Sequence, residues 1–540
     1  MARLLSPLLR IPEMELLSKF QLRMITNRQG KPVLDRYVVL KKKIPLDEWQ
    51  IITNALRQAD FGIDENGLSR KQKYALTDLR TKAIIGENDQ LREYPNQNRA
   101  SHVLGFVGES ERETTRGKAI EMTGASGIEY TLNPQLQGVR GWRQTETTIN
   151  GKMELVPFRT KDVAPRPGLN VVLTLDLGLQ DIIESELAEA MKLHRPISAS
   201  AVIVRPKTGE ILAMATLPNF NPNAPGDSPV EFLRNRLIND ESEPGSTFKV
   251  VVVTAALNER LVSLQDTFYC ENGHFYYAGK PLRDTHPYGL LTVEQIITKS
   301  SNIGAAKIGL KMGPALLYHY MRQFGFGSPT GIPLPGERMG TVHAIKKWSK
   351  LSITRIPMGQ EVATTPLQMA MAMCAIANGG KLMRPMLVSR LEDEQQRVVA
   401  QYAPQVIRQV CSEAASRQMI TALKTVVGTN GTAIKARLDH YQVAGKTGTA
   451  QKADRYSYLA GKYFASFLGF FPADQAELCI AVVLDEPRIE KGYYGGHTAA
   501  PVFKNIAERA ANYLSLPPEI ISPEALAAAH SNPMTNLPSD

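Results

Sequence analysis

Apolar residues occur in short runs whose spacing changes along the chain. Residues 177–191 carry Leu179, Ile183, Leu187 and Ala190 at intervals of three and four, which predicts an amphipathic helix. Shorter apolar runs bounded by turn residues predict strands. These strands are Val171–Leu175, Ala199–Arg205, Glu210–Leu217, Gln442–Gln451, Tyr463–Phe471 and Leu478–Leu484.

The order of these elements predicts the fold class. Pro206–Gly209 joins two of the strands and is typical of a hairpin turn. A mainly helical stretch follows over 230–430, and the last three strands have connections short enough for antiparallel pairing. A closing helix is predicted over Ala499–Leu514. We expect an α+β architecture with a five-stranded antiparallel sheet, completed by both ends of the domain and flanked by helices.

The first 160 residues are more polar and are broken into short segments. Strands are predicted at Tyr37–Leu40 and His102–Gly108, and helices at Leu46–Gln58 and Ser69–Ala83. Ala164–Gly168 is predicted to be a linker, because two prolines stiffen the chain and a glycine ends the run. No cluster of residues in this part indicates chemistry.

Composition excludes several classes of protein. The chain has 540 residues, of which 43% are hydrophobic and 21% charged, values close to the globular average. They exclude a mostly disordered chain, a coiled coil and a protein with many membrane spans. The net charge of +10 favours anionic surfaces, but no long basic block or RNA-binding aromatic motif occurs, so no nucleic-acid partner is expected. No apolar stretch near the N-terminus reaches the roughly 20 residues of a membrane span.

One segment of the chain carries several residue types that can bind a metal. Cys270, His274, Asp284 and His286 lie close together in sequence, but their spacing matches no known finger pattern and the segment is loop-like. Structural or solvated roles are favoured for these side chains. None of the four cysteines forms a CxxC pair. No metal and no cofactor are therefore expected.

The first motif that indicates chemistry is the sequence P-G-S-T-F-K at Pro244–Lys249. A Pro-Gly turn before an apolar helix places Ser246 at or near the helix N-terminus. Residues three apart share a helix face, so the Lys249 amine can reach the Ser246 hydroxyl. A serine hydroxyl needs an adjacent base to act as a nucleophile, and lysine can serve if burial lowers its pKa.

Two further motifs follow in the chain. The sequence K-S-S-N ends a helix predicted over Val293–Thr298, and it offers the Ser300 hydroxyl for proton transfer and the Asn302 carboxamide for a peptide amide. The sequence K-T-G-T-A at Lys446–Ala450 lies on a predicted strand. Its lysine provides a cation and its threonines provide donors for an anion, while Gly448 allows a substrate backbone to approach.

Each motif alone also has a structural interpretation. Ser246 could be a helix cap, Ser300 and Asn302 could form a turn, and Lys446 could end a strand in solvent. The combination is more specific, because S-x-x-K, S-x-N and K-T-G occur in that order. This set is typical of penicillin-binding proteins and class A β-lactamases.

The chain resembles a class B penicillin-binding protein, the monofunctional peptidoglycan D,D-transpeptidase, over residues 23 to 514. Within that class it is more similar to the division-specific than to the elongation-specific enzyme, on the segments Asn235–Lys249, Lys299–Gly304 and Tyr463–Phe470. The other segments that carry the family resemblance are Arg23–Gly30, Arg92–Pro95, Gly124–Glu129, Pro206–Met214, Gly359–Glu361 and Thr365–Gln368.

The resemblance implies a role for each residue of the first two motifs. Ser246 attacks the carbonyl of the penultimate D-alanine of a stem pentapeptide and expels the terminal D-alanine. Lys249 accepts the serine proton, Ser300 relays a proton toward the leaving amine, and Asn302 positions the peptide. The amine of a second stem peptide then attacks the acyl-enzyme.

The resemblance also assigns the third motif. Lys446 shapes the electrostatic field, Thr447 and Thr449 bind the terminal carboxylate, and Gly448 belongs to the substrate-binding strand. The amides of Ser246 and Thr449 form the oxyanion hole. A β-lactam, which resembles the D-Ala-D-Ala end, is expected to acylate Ser246.

The same resemblance implies four regions and a location. Residues 1–22 are an N-terminal segment whose anchor is absent or trimmed, 23–163 a pedestal or dimerisation-like domain, 164–515 the transpeptidase domain and 516–540 a flexible tail. The family implies attachment to the inner membrane facing the periplasm. The implied partners are stem pentapeptides, β-lactams, division-complex proteins and a glycosyltransferase.

Several alternatives remain open at this point. A serine β-lactamase needs a fast deacylation base, and no E-x-x-L-N element lies between the second and third motifs. An elongation-type class B enzyme or a D,D-carboxypeptidase would use the same three motifs. A class A bifunctional enzyme is disfavoured by the short N-terminal region. A catalytically silent division scaffold is the alternative from another class of function.

Overall fold

A computed structural model of the chain describes residues 1–26, 30–35, 38–86, 91–114, 117–144, 146, 147, 154, 155, 161–453, 457–488, 490 and 492–520. The chain divides into two compact units, Met1–Glu93 and Tyr94–Asp540. Residues 94–163, which are predicted to belong to the pedestal, thus cluster with the C-terminal unit. The boundary at 163/164 between the pedestal and the transpeptidase domain stays a prediction.

The N-terminal unit is a small helical cluster with one short hairpin. Its elements are the helices Ala2–Leu9, Glu13–Phe20, Leu46–Arg57 and Arg70–Lys82 and the strands Arg23–Thr26 and Pro32–Asp35. Leu5, Leu16 and Ile52 are almost completely buried and pack in one apolar core. The helix at 70–82 begins at a capping box, in which Ser69 and Gln72 satisfy each other's backbone amides.

The predictions for the N-terminal unit are partly confirmed. Both predicted helices are present within two residues of their expected ends. The predicted strand Tyr37–Leu40 is wrong for residues 38–40, which have no regular structure, and Tyr37 lies outside the described residues. A short run of apolar residues predicts a strand there, yet Val38 and Val39 are exposed and Leu40 packs at the edge of the helical core.

The C-terminal unit begins with short helices and hairpins. The predicted strand His102–Gly108 is wrong in its first half, because residues 101–104 form a helical turn that ends at Gly105 with a positive φ of 74°. The strand begins only at Val107. The elements of this region are Ser101–Leu104, Val107–Thr114, Gly117–Gly124, Gly127–Thr131, Asn133–Leu136, Trp142–Gln144, Glu146–Thr147, Glu154–Leu155 and Lys161–Val163.

A five-stranded antiparallel sheet forms the centre of the C-terminal unit, as predicted. In chain order its strands are β1 (Ser198–Val204), β2 (Ile211–Leu217), β3 (Ala444–Ala453), β4 (Tyr458–Phe471) and β5 (Leu478–Asp485). Their spatial order is β2-β1-β5-β4-β3, so that the strands from both ends of the domain pair in the middle, β1 with β5.

Helices cover both faces of this sheet. Phe467 of β4 contacts Phe503 of the closing helix, with ring centroids 4.7 Å apart. Phe470 points to the face opposite to that of Phe467, because side chains alternate along a strand. Cys479 of β5 pairs with Phe470 and shares its face, where Cys479 contacts Ala370 of the helix Pro366–Ala377. The helices used below are α1 (Leu177–His194), α2 (Lys249–Asn258), α3 (Val293–Lys299), α4 (Asn302–Gln323) and α5 (Ala499–Tyr513).

The central stretch is less helical than predicted. It contains two small hairpin-like pairings between 267 and 292 and strands between 381 and 409. Its remaining helices are Arg236–Asn239, Ser352–Arg355, Pro366–Ala377 and Glu413–Val426, with single 3-10 turns at Pro225–Asp227, Val230–Leu233, Gly245–Phe248, Glu271–Gly273, Ile345–Lys347, Ile356–Met358 and Ile434–Ala436. The additional strands are Asn170–Leu173, Thr267–Tyr269, His274–Tyr277, Lys280–Arg283, Leu290–Thr292, Lys381–Met383, Val388–Glu392, Val398–Gln401 and Val406–Gln409.

Within the described ranges, none of the helices has both the length and the apolar composition needed to cross a bilayer. The expected tail falls almost entirely on residues 521–540, which lie outside the described part of the chain. The first five residues of the expected tail, 516–520, are described, and the backbone amides of Glu519 and Ile520 donate to the carbonyl of His440.

Candidate active site

Ser246 lies on the 3-10 turn Gly245–Phe248, which runs directly into α2. This confirms the predicted position at a helix N-terminus. The turn is held from outside by Gly359, whose carbonyl accepts a hydrogen bond from the amide of Gly245. Both glycines have positive φ, and a Cβ on Gly359 would overlap the backbone of Gly245, so no larger residue fits.

The Lys249 amine reaches Ser246 as the spacing predicts. Its Nζ lies 2.8 Å from the Oγ of Ser246. The same Nζ lies 2.7 Å from the backbone carbonyl oxygen of Ser300, 2.7 Å from Asn302 Oδ1 and 3.2 Å from Ser300 Oγ. The first two motifs therefore meet at one amine, which is 0% exposed.

Ser300 is positioned by an unusual backbone conformation. It ends α3 in the left-handed region, with φ 60° and ψ 37°, so its carbonyl and its hydroxyl both reach Lys249. The next residue, Ser301, begins α4, where its Oγ accepts a hydrogen bond from the amide of Gly304. A sharp turn between two capped helices thus places the K-S-S-N segment beside Lys249 and Ser246.

Asn302 is held at both ends of its carboxamide. Its Oδ1 accepts from Lys249, and its Nδ2 donates to the backbone carbonyl of Arg283 at 3.1 Å. The carboxylate of Asp284 accepts hydrogen bonds from the amides of Asn302 and Ile303 and from the hydroxyl of Ser301. A carboxylate at a helix N-terminus also complements the helix dipole, so Asp284 fixes the start of α4.

Two of the four residues weighed as metal ligands have structural roles. Cys270 is buried with its Sγ 3.4 Å from Ser301 Oγ, and Asp284 caps α4. The side chains of His274 and His286 are exposed. Among the described residues, no group of three or more His, Cys, Asp or Glu side chains is placed to hold a metal ion.

Lys446 brings the third motif to the same place. It lies on the edge strand β3, is 0% exposed, and its Nζ lies 3.0 Å from Ser300 Oγ. The hydroxyl of Thr447 lies 3.0 Å from that of Thr432, and the hydroxyl of Thr449 accepts from the amide of Gly495 at 3.1 Å. Three stretches far apart in sequence therefore surround one group of polar atoms.

Gly448 is required for a reason that differs from the one expected. A Cβ on Gly448 would not face open space, because it would overlap Ser466 Oγ and lie 3.0 Å from Thr247 Cγ2. The glycine therefore allows β3 to pack closely against the turn that carries Ser246. Its role in binding a substrate backbone stays a prediction.

Burial dominates the electrostatics of the two lysines. Removal of the Lys249 amine from water lowers its pKa to about 7, although the carboxylate of Asp284 opposes this change. Burial also lowers the pKa of Lys446 well below its usual range, and the charge of Lys249 adds to the effect. An amine with a pKa near neutrality can exist in its basic form next to Ser246, as a general base requires.

Sequence reasoning missed several residues beside Ser246. Glu243 accepts hydrogen bonds from the amide of Glu361 and from the hydroxyl of Tyr458, and burial raises its pKa. These bonds tie the serine turn to the loop after Gly359 and to the start of β4. The position of Glu243 directly before the first motif was the only available signal.

The segment around His497 lies against the third motif. The rings of Tyr463, Tyr493 and Tyr494 stack with centroids 4.3 Å apart, and the ring of His497 meets Tyr494 edge-on. Thr498, the next residue of this segment, is the N-cap of α5. Gly495 of this segment contacts Thr449 through the hydrogen bond described above.

The geometry suits acyl transfer through a serine. The Ser246 hydroxyl, at a helix N-terminus, lies within hydrogen-bond distance of the Lys249 amine, which can lose its proton near neutral pH. The Ser300 hydroxyl connects this amine to Lys446. The threonines of β3 provide donors beside the same group. This combination fits attack on a carbonyl whose substrate carries an anionic end.

Comparison with known proteins agrees with this description. A family model described as the penicillin-binding protein transpeptidase domain matches residues 199–508, and one described as the penicillin-binding protein dimerisation domain matches residues 11–173. The chain is similar to Stage V sporulation protein D of Bacillus subtilis, with 34% identity over 81% of this chain and 66% of that protein. It is also similar to peptidoglycan D,D-transpeptidase FtsI of Escherichia coli, with 30% identity over 91% of this chain and 79% of that one.

A solved structure gives the same result. Penicillin-binding protein 3 of Mycobacterium tuberculosis matches with a TM-score of 0.67 and 30% identity, covering 80% of this chain and 92% of that one. That protein has also been solved in complex with ampicillin.

Proposed function

This chain belongs to the class B penicillin-binding proteins, a family of peptidoglycan D,D-transpeptidases, and we propose that it cross-links stem peptides through an acyl-enzyme on Ser246. The observation that carries this proposal is the 2.8 Å separation between Lys249 Nζ and Ser246 Oγ at a buried site. It supports the transfer of the serine proton to a neutral amine as the hydroxyl attacks.

The acylation step follows from these positions. Ser246 Oγ bonds to the carbonyl carbon of the penultimate D-alanine, and its proton moves to Lys249. The bond to the terminal D-alanine breaks, and the leaving amine takes a proton through the Ser300 hydroxyl. The second stem peptide then attacks the ester with its amine, which restores the Ser246 hydroxyl and forms the cross-link.

The K-T-G strand would orient the donor peptide. Thr447 and Thr449 would bind its terminal carboxylate, while Lys446 supplies the local field from its buried position. The amides of Ser246 and Thr449 would stabilise the oxyanion, and the loss of one such donor typically costs about 10²–10³ in rate. Asn302 would form a hydrogen bond with the peptide amide in place of one of its present bonds to Lys249 and Arg283.

Labelling by a fluorescent penicillin tests the proposal. We expect the wild-type protein to be labelled and the Ser246→Ala protein to stay unlabelled. Equal labelling of Ser246→Ala would reject Ser246 as the nucleophile. An unlabelled wild-type protein would favour the catalytically silent scaffold.

Intact mass measured over hours after penicillin exposure separates the related enzymes. A stable adduct supports a penicillin-binding protein, whereas a rapid return to the starting mass indicates a β-lactamase. A stem pentapeptide assay with and without an amine acceptor then separates the two remaining reactions. A cross-linked product supports the transpeptidase, and loss of D-alanine to water alone indicates a D,D-carboxypeptidase.

The cellular role we propose is septal wall synthesis by a membrane-attached protein that faces the periplasm. It is supported by the resemblance of Asn235–Lys249, Lys299–Gly304 and Tyr463–Phe470 to division-specific enzymes. Division-complex proteins and a glycosyltransferase would be its partners. A fluorescent fusion in the native host should concentrate at the division site, and a distribution along the lateral wall would instead indicate the elongation type.

A further inference from the structure

A side pocket with a volume of about 310 Å³ opens beside the catalytic residues. We define it by its three walls, which are the hairpin residues 277 and 280–283, Asn302, and residues of the segment 351–360. Asn302 belongs both to this pocket and to the active site, because its Oδ1 lies 2.7 Å from Lys249 Nζ. The Asn302 side chain and the Lys249 amine thus connect the pocket to the Ser246 hydroxyl.

The walls of the side pocket carry only positive charge. Lys280, Arg283 and Arg355 line it, and none of its lining residues is acidic. Lys280 and Arg283 are exposed and form no ion pair with any residue in the described ranges. Their charges are therefore available to a ligand.

Two acidic residues lie near these cations in the chain. Asp284 accepts hydrogen bonds from Ser301 and from two amides at the start of α4. Glu361 accepts a hydrogen bond from Ser352 at 2.5 Å and forms a salt bridge with Arg355, with Oε1 and Nε 3.8 Å apart. Neither carboxylate lines the side pocket, so Lys280 and Arg283 are the lining cations that keep their charge for a ligand.

The size of the side pocket limits what it can hold. At roughly 30 Å³ for each water molecule, its volume corresponds to about ten waters, which suits one charged side chain better than a folded peptide. Guanidinium groups pair with planar carboxylates through two parallel hydrogen bonds. Polar groups of Tyr277, Thr354 and Gln360 complete the lining with further hydrogen-bonding capacity.

We propose that the side pocket binds a carboxylate of a stem peptide, distinct from the terminal carboxylate that the K-T-G strand would hold. This inference rests on the proposed function, because it assigns a second recognition point to the same reaction. Lys249 contacts the two regions through different partners, Asn302 toward the side pocket and Ser300 toward Lys446. The carboxylate can belong to the donor or to the acceptor peptide.

The test compares carboxylate and carboxamide forms of the same substrates with the full chain. One arm uses thioester donors of the acyl-D-alanyl class with or without a side-chain carboxylate. The other arm keeps one donor and offers stem-peptide amines with free or amidated carboxylates. The variant is Lys280→Gln/Arg283→Gln, and the matched control is Lys346→Gln/Lys347→Gln, which removes two exposed cations that do not line the pocket.

We expect the wild-type protein to prefer the carboxylate form by about tenfold in one arm, as one charge-assisted contact supplies. The arm that shows the preference identifies the donor or the acceptor as its source. In Lys280→Gln/Arg283→Gln the preference should fall to about twofold or less, while the control keeps it. Because the preference is the ratio of the rates for the carboxylate and carboxamide forms in the same protein, a general loss of activity does not change it.

Two outcomes would overturn the inference: no preference in either arm of the wild-type protein, or a preference that persists in the pocket variant. Each differs from failure of the proposed function, in which the wild-type protein would not be acylated by penicillin at all.

Discussion

Lys446 Nζ lies 3.0 Å from the Oγ of Ser300, a residue 146 positions earlier in the chain. The same hydroxyl lies 3.2 Å from Lys249 Nζ. One serine hydroxyl therefore connects two completely buried amines. Because two charged amines at this spacing would repel each other in a dry environment, at least one of them is favoured in its neutral form.

The first prediction concerns pH. Because the pKa of Lys249 is lowered to about 7, its amine is protonated below that pH and free to accept the Ser246 proton above it. The rate constant of acylation by penicillin should rise with pH, with a midpoint near pH 7, and level off about one pH unit above it. A stopped-flow series across this range would measure it, and a rate that does not change between acid and neutral pH would contradict the role of Lys249.

The second prediction concerns Asp284→Asn. The negative charge of Asp284 raises the pKa of Lys249, so its removal should move the midpoint of the acylation profile to lower pH. Asp266→Asn is the control, because Asp266 is exposed and pairs with Ser263. Equal shifts in both variants would show that the effect comes from net charge and not from Asp284.

The third prediction compares two helix caps. Ser301→Ala removes the cap of α4 and a hydrogen bond to Asp284, and it should lower the free energy of unfolding by about 2 kcal/mol. Ser412→Ala removes the cap of the helix Glu413–Val426 and should cost about 1 kcal/mol. Denaturant titration measures both losses.

Only the first of these caps should affect catalysis, because α4 carries Asn302. Acylation by penicillin should slow by about tenfold in Ser301→Ala and remain at the wild-type rate in Ser412→Ala, in line with the cost of small displacements in an active site. Equal acylation rates in the two variants would mean that the start of α4 does not position the site.

The fourth prediction concerns Gly448→Ala. The added methyl would overlap Ser466 Oγ and lie 3.0 Å from Thr247 Cγ2, so the Ser466 side chain or β3 itself must shift beside the serine turn. We expect acylation to fall by about tenfold or more and stability by about 1–3 kcal/mol. Gly226→Ala is the control, since nothing lies within 4 Å of its added Cβ. Combining Gly448→Ala with Ser466→Ala should restore part of the rate, and no recovery would argue against the overlap as the cause.

The fifth prediction concerns the cysteines. All four are buried, and burial raises the pKa of the Cys270, Cys374 and Cys411 thiols. A thiol-specific reagent should therefore label none of them rapidly in the native protein and all four after denaturation. Fast labelling of Cys270 in the native state would contradict its packing against Ser301.

The sequence predicted the elements with strong periodicity, and the structure contains them. The five strands of the sheet and the helices α1 and α5 appear within a few residues of their expected ends. Polar segments with weak periodicity were predicted less well. Residues 38–40 and 102–106 show this, because a short apolar run can pack at a helix edge or form a turn as easily as a strand.

Local spacing by itself determined that the Lys249 amine would reach Ser246, because residues three positions apart lie on the same face of a helix. Tertiary structure alone decided the rest of the site. The left-handed turn at Ser300, the cap that Asp284 provides and the overlap that excludes a side chain at Gly448 all depend on contacts between distant segments. The side pocket is also a tertiary feature, because its three walls come from parts of the chain that only folding brings together.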